Sequence, residues 1–245
     1  MQLILARVKF CARKLYIFGE EITLEESVLP SSTHRPKTVT QATLTGEIAD
    51  KITALTSDGN RIAIAIAGPP GSGKSSLAAA LCAHLGETSC AIPMDGFHLD
   101  NSVLEARGLL QVKGAAETFD QQGFTTLATA LINRTAQYFP TFDRSQDKVI
   151  EAGGKVPETA SILVFEGNYL LFNAPGWADL APLWDASIWL DVPEEVLRRR
   201  LIQRWRDHGL PEKQAIARAN ENDLANAREI CCNALSATWV LSQEE

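Results

Sequence analysis

Gly68-Pro69-Pro70-Gly71-Ser72-Gly73-Lys74-Ser75 decides how this 245-residue chain folds. The stretch has the spacing GxxxxGK[ST]. It follows an apolar run, Ile62–Ala67, and opens a segment of helical pattern, Lys74–Leu85. Glycines at these places let successive backbone N–H groups turn inward around phosphate oxygens. The start of the helix adds partial positive charge. In that setting Lys74 reaches the β- and γ-phosphates of a nucleotide, and the Ser75 hydroxyl is a Mg²⁺ ligand. The expected nucleotide-binding residues are Gly68, Pro69, Pro70, Gly71, Ser72, Gly73, Lys74, Ser75 and Ser76.

Working outward, four more short apolar runs read as buried strands: Ala91–Met94, Ile162–Phe165, Ser187–Val192 and Thr238–Leu241. Helical patterns lie between them, at Gly123–Tyr138, Glu194–Asp207 and Pro211–Ala234 as well as Lys74–Leu85. Near-continuous apolar strands alternating with helices predict an α/β fold in three layers, α/β/α, around a mostly parallel five-stranded sheet. Gly108–Phe119 and Asp143–Val156 look irregular. Upstream, Leu3, Leu5, Val8, Phe10, Leu15 and Ile17 alternate loosely and read as a β-hairpin. Pro30–Thr40 reads as a linker, and Thr43–Thr56 has helical spacing. Residues 1–58 are therefore an expected N-terminal extension of hairpin and helix, and 59–245 the main domain.

The composition narrows the partners. Asp plus Glu (30) exceed Lys plus Arg (23), giving a formal charge of −7, so nucleic acid is not the expected partner. With 45% hydrophobic residues the chain can build a full core. No stretch reaches 18 uncharged apolar residues, and Arg7, Lys9, Arg13 and Lys14 break the N-terminal apolar patches. Neither a membrane span nor a signal peptide is expected, and the expected location is the cytoplasm. The five cysteines, Cys11, Cys82, Cys90, Cys231 and Cys232, read as reduced and mostly buried. Trp177, Trp184 and Trp189 are core or interface residues, and oligomeric state is left open, a homodimer included.

In open parallel sheets ligands bind beyond the carboxyl ends of the strands. Two runs end in a carboxylate followed by glycine: Pro93-Met94-Asp95-Gly96-Phe97-His98 and Val164-Phe165-Glu166-Gly167-Asn168-Tyr169. If both strands flank the one before the phosphate loop, Asp95 and Glu166 converge on the γ-phosphate. There a carboxylate can hold Mg²⁺ or accept the proton of an attacking hydroxyl. Arg200 and Arg204 are spaced i,i+4 on one helical face, where two guanidinium groups can clamp phosphate charge.

These motifs, with Lys113-Gly114-Ala115-Ala116-Glu117-Thr118-Phe119-Asp120 and Pro140-Thr141-Phe142-Asp143-Arg144, occur in the order of a known family. From about Arg61 to Asn226 the sequence resembles the P-loop kinases of the phosphoribulokinase, uridine kinase and bacterial pantothenate kinase superfamily. The resemblance is closest to the branch with proteins named fructose transport system kinases. It implies a P-loop NTPase fold and transfer of the ATP γ-phosphoryl to a hydroxyl of a small molecule, with ATP and Mg²⁺ as cofactors. It implies Asp95, Lys74, Arg200 and Arg204 as catalytic residues, with Ser75 and Glu166 at the metal. Asp95, Phe97, His98, Lys113, Phe142, Arg144 and Asn168 are implied on the acceptor side, and a lid around 198–212. Asp223 and Asn226 match a DxxN-like block of the same branch. Two positions depart from the family: Ala116 replaces a common proline, and Phe142-Asp143-Arg144 lacks the histidine of pantothenate kinases. A sugar, a nucleoside or a pantothenate-like alcohol fits, with a sugar favoured. The alternative class is a P-loop ATPase acting as a nucleotide-dependent switch without an acceptor. The acceptor blocks speak against it.

Overall fold

A computed structural model describes residues 15–17, 20–22, 41–56 and 60–242. Two units divide the chain, Met1–Gln41 and Ala42–Glu245. In the first, β1 (Leu15–Ile17) pairs antiparallel with β2 (Glu20–Ile22). The alternating Leu3–Phe10 segment, Cys11 and the Pro30–Thr40 linker lie outside the described residues.

The second unit is built on β3 (Ile62–Ala67), whose sequence Ile-Ala-Ile-Ala-Ile-Ala is buried throughout. Alternation splits it between two layers. Ile62, Ile64 and Ile66 join an apolar cluster with Ile48, Ala49 and Ile52 of α1 (Gln41–Thr53) and Leu77, Ala78 and Leu81 of α2 (Lys74–Leu85). Ala63, Ala65 and Ala67 face a second cluster rich in large side chains, among them Phe124, Phe139, Phe165, Tyr169 and Trp177. Small residues on the strand make room for these aromatics, which come from one helix, two further strands and the segment after the second of those strands, as close packing demands.

The remaining elements follow in order. They are β4 (Ser89–Pro93), α3 (Asn101–Ala106), α4 (Gln121–Ile132), β5 (Tyr138–Asp143) and β6 (Lys148–Lys155). Next come β7 (Ile162–Gly167), β8 (Ala186–Asp191), α5 (Glu194–Asp207), α6 (Glu212–Arg218), α7 (Leu224–Cys232) and β9 (Trp239–Ser242). The five-stranded sheet has the order β4-β7-β3-β8-β9, and every pairing in it is parallel. Ala67 pairs with Gly167 and Pro93 with Glu166, so the carboxyl ends of β3, β4 and β7 lie side by side.

Three segments differ from their sequence patterns. The helix expected over Gly123–Tyr138 runs Gln121–Ile132, and Tyr138 instead begins a strand. Arg134, at φ 61°, takes the left-handed turn that ends the helical path. Asp143–Val156, expected to be irregular, holds most of an antiparallel hairpin, β5 with β6. Most of β6 is solvent-exposed, so it carries no apolar alternation to read. Gly153 and Gly154 keep its inner face open, because a Cβ at either would strike Thr141 or the Phe139 ring. The single helix expected over Pro211–Ala234 is α6 and α7 joined through a π-helical turn, Ala219–Asp223.

The cysteines also differ: Cys82 and Cys90 are half-buried, but Cys231 and Cys232 are exposed on α7. No disulfide joins the described cysteines. Trp177 is buried, while Trp184 and Trp189 pack partly covered against the same core. Among the described residues no helix is long and apolar enough to cross a membrane.

Candidate active site

The glycine-rich loop runs from β3 into α2. Gly68, Gly71 and Gly73 have φ of 154°, 79° and 94°, and the last two lie in the left-handed region that favours glycine. Lys74 is buried at the first turn of α2, and its Nζ donates to the carbonyls of Gly68 and Pro69, both at 2.9 Å. Burial pushes its pKa down to about 8, although Glu166 and Asp95 pull the other way. Ser72 is fully buried beside it, and Ser76 is exposed.

Ser75 Oγ donates to Glu166 Oε1 at 2.9 Å. Glu166 is buried at the end of β7, and burial, then the neighbouring Asp95, raises its pKa; Lys74, Ser75 and Arg144 oppose the shift. Asp95 sits in a tight turn after β4, where Arg144 Nη2 lies 2.7 Å from its Oδ2. Gly96 makes that meeting feasible, since a Cβ there would run into the Pro140 carbonyl of β5.

His98 caps the same turn. Its Nδ1 lies 2.8 Å from the Asp95 carbonyl, which can only accept, so Nδ1 carries the proton. Burial lowers the pKa of His98 against the pull of Asp95, which keeps the ring neutral at pH 7 with Nε2 as an acceptor. The ring lies between Phe119 and Phe142, with centroids at 4.1 and 4.6 Å. Lys113 Nζ stands 5.0 Å over the same Phe142 ring and bonds Asn101 Oδ1 at 2.7 Å and Asp147 Oδ1 at 2.8 Å.

On α5, Arg200 Nη1 reaches the Gly71 carbonyl at 3.3 Å. Arg204 is largely withdrawn from solvent. Its pKa is lowered first by burial and then by Arg144, while Asp223 and Asp95 favour its charge. Among the described residues Arg204 Nε is buried without a hydrogen-bond partner. A concavity lined by Arg199, Arg200, Gln203, Arg204, Arg206 and Glu212 runs along this helix.

Residues 64–220 match the family described as AAA domain. The crystal structure of a "putative fructose transport system kinase" from Silicibacter sp. TM1040 has a TM-score of 0.77 and 45% identity, over 80% of this chain and 98% of that one. A Schizosaccharomyces pombe protein named "putative uridine kinase" is 36% identical over 80% of this chain and 89% of its own length. A pantothenate kinase of Yersinia pestis is 31% identical over 62% of this chain and 52% of its own length. The chain belongs to the P-loop kinase superfamily of uridine and pantothenate kinases. As a P-loop kinase it is an ATP-dependent phosphotransferase acting on a hydroxyl of a small molecule, and its family implies ATP, typically with Mg²⁺.

In this P-loop kinase most of the residues singled out from sequence come together. Lys74, Ser75, Glu166, Asp95, Arg144 and Arg204 form one charged cluster, linked by the bonds and mutual pKa effects above. His98, Lys113 and Phe142 form an aromatic and basic wall continuous with it. Phe97 turns into the core instead, edge-on to Phe124 at 5.1 Å. Asn168 is half-buried just past β7. Sequence reasoning missed Asn101, Asp147, Arg218 and Asn222. Asp147 sits in the hairpin turn at φ 51°, so missing the hairpin hid it. Arg218, Asn222 and Asn226 do carry a signal, a polar residue every fourth position along a helical segment.

Proposed function

We propose that the protein transfers the γ-phosphoryl group of ATP to a hydroxyl of a sugar or related polyol. The observation that carries this reading is the Ser75–Glu166 hydrogen bond of 2.9 Å with Asp95 on the adjacent strand end. It joins a phosphate loop to two carboxylates at the carboxyl edge of the sheet. Asp95 orients the acceptor hydroxyl and takes its proton. Arg144 holds one oxygen of Asp95, and the other faces the task. Lys74, Arg200 and Arg204 neutralise charge on the transferring group, and the lid helix keeps water away from it.

The donor set fits Mg²⁺. Ser75 and Glu166 offer hard oxygens side by side. That suits an ion that takes few protein ligands and completes its shell with phosphate and water. Held by Ser75 and Glu166, it would supply charge neutralisation at the β- and γ-phosphate oxygens.

On the acceptor side, His98, Lys113, Phe142, Arg144 and Asn168 contact the small molecule. The flat Phe142 ring beside Lys113, Asn101 and Asp147 suits a ligand with several hydroxyls and an apolar ring face. The name of the Silicibacter relative supports a sugar as well.

The test is ADP release from Mg·ATP against a panel of sugars, nucleosides and pantothenate. One sugar or polyol should stimulate turnover. Asp95→Asn should cut that turnover by about 10²–10⁴-fold, the usual worth of a positioned base, with ATP affinity retained. Flat hydrolysis across the panel would instead favour a nucleotide switch.

A further inference from the structure

We infer that Arg218 and Asn222 are positioning residues for Lys113, and that they tie the acceptor side of the site to the lid helix. The inference rests on the reading above only in that Lys113 faces the acceptor.

Lys113 lies in a loop between short turns, where the Leu110 and Val112 carbonyls accept backbone bonds within the turns, while those of Gln111, Lys113 and Gly114 are met by side chains. The α6–α7 segment supplies the donors to Gln111 and Lys113. Arg218 Nη1 donates to the Gln111 carbonyl at 3.0 Å, and its Nη2 to the Lys113 carbonyl at 3.4 Å. Asn222 Nδ2 donates to the Lys113 carbonyl at 3.1 Å. Asn226, four residues on, is the side chain nearest to where a Cβ of Gly114 would stand. From the core, Tyr169 Oη donates to the Gly114 carbonyl at 2.8 Å. The backbone on either side of Lys113 is thereby fixed, and its amine projects to Asn101 and Asp147 over Phe142.

The same segment grips the lid helix. Arg218 Cζ lies 5.4 Å from the Trp205 ring, and Arg204 Cζ lies 5.7 Å from that ring. Asp223 Oδ2 accepts from Trp205 Nε1 at 2.5 Å. Asn222 and Asp223 are neighbours, yet one reaches the loop and the other the lid helix. They lie in the π-helical turn, whose extra residue widens the helix there. Arg218 thus touches both the Lys113 loop and the tryptophan next to Arg204.

The experiment labels the full-length protein with acetic anhydride and reads each lysine by mass spectrometry. Asn222→Ala should acetylate Lys113 about fivefold faster, as the loss of one hydrogen bond predicts, and Arg218→Gln, which loses two, at least as much. Lys74 labelling should stay within about twofold of wild type in both, and so should Mg·AMPPNP affinity in Asn222→Ala, whose contact touches neither the phosphate loop nor the lid helix. Arg218→Lys should restore part of the protection. An unchanged Lys113 rate in both variants would overturn the inference. So would acceleration of Lys74 and Lys113 together, which marks general loosening. Failure of wild type to bind Mg·AMPPNP would sink the proposed function and leave the Lys113 result standing.

Discussion

At Lys74 burial and charge are opposed. Its ammonium is held by two loop carbonyls in a dry setting and titrates at about 8. Phosphate oxygens beside it would favour the charged form, so ATP binding should raise that pKa and take up a proton. With the free lysine at about 8, the Kd for ATP should weaken about tenfold between pH 7 and pH 9. Calorimetry at pH 8 in buffers of different ionisation enthalpy would show net proton uptake, and Lys74→Met should lose it. Equal heats across buffers would mean that Lys74 does not meet the phosphates. Glu166 makes a companion case. Its pKa is raised by burial and by Asp95, so the folded state binds its proton more tightly than the unfolded chain does. Its contribution to stability is therefore present at low pH and lost as pH rises from the ordinary glutamate range through the raised value. Glu166→Gln should accordingly have a higher Tm than wild type at pH 7.5, with the gap closing toward pH 4, while turnover falls. A lower Tm at pH 7.5 would show that the Ser75 bond outweighs burial.

Among the elements, the β5–β6 hairpin brings Arg144 to Asp95 and Asp147 to Lys113, yet it was the least legible part of the sequence. The phosphate loop was legible because its function is local. Eight contiguous residues set the backbone, and Ile62–Ala67 and Lys74–Leu85 follow with their bounds as read. Asp95 and Glu166 were legible because parallel strands must end together at the same edge. The hairpin instead works across long separations, with an exposed strand that buries little, so neither periodicity nor turn chemistry marks it. Likewise the π turn that lets Asn222 and Asp223 diverge has no pattern distinct from an ordinary helix. Gly96 gives a handle on the hairpin. Gly96→Ala should push the Pro140 carbonyl away and part Arg144 from Asp95. Overpacking of this kind costs about 1–3 kcal/mol. The measurable outcome is a drop in acceptor-stimulated turnover of at least tenfold, with the Kd for Mg·ATP little changed. Wild-type turnover would show that the hairpin can shift without disturbing Asp95.

Across the whole molecule, the sheet is covered on one face by two helices of different origin. One, α2, carries the phosphate loop, and the other, α1, comes from a segment that the sequence grouped with the N-terminal extension. Ile52 of α1 is fully buried in the same cluster as Ile64 and Ile66 of β3. The strand that launches the loop is thus supported through α1. Ile52→Ala should cost about 2–5 kcal/mol, as large-to-small changes in a packed core do. For a unit of this size that is a Tm fall of about 4–20 °C, seen as one transition by both circular dichroism and tryptophan fluorescence. Leu55→Ala, just past the end of α1 and 42% exposed, should move Tm by no more than about 2 °C. Saturating Mg·ATP at 100 times its Kd should restore about 2.7 kcal/mol to Ile52→Ala, because only the folded loop binds it. Two separate transitions in Ile52→Ala, with the nucleotide shifting only the later one, would mean that α1 unfolds apart from the sheet. The bond between helix and strand would then be packing without cooperativity. A single shifted transition would make α1 part of the structure on which the phosphate loop depends.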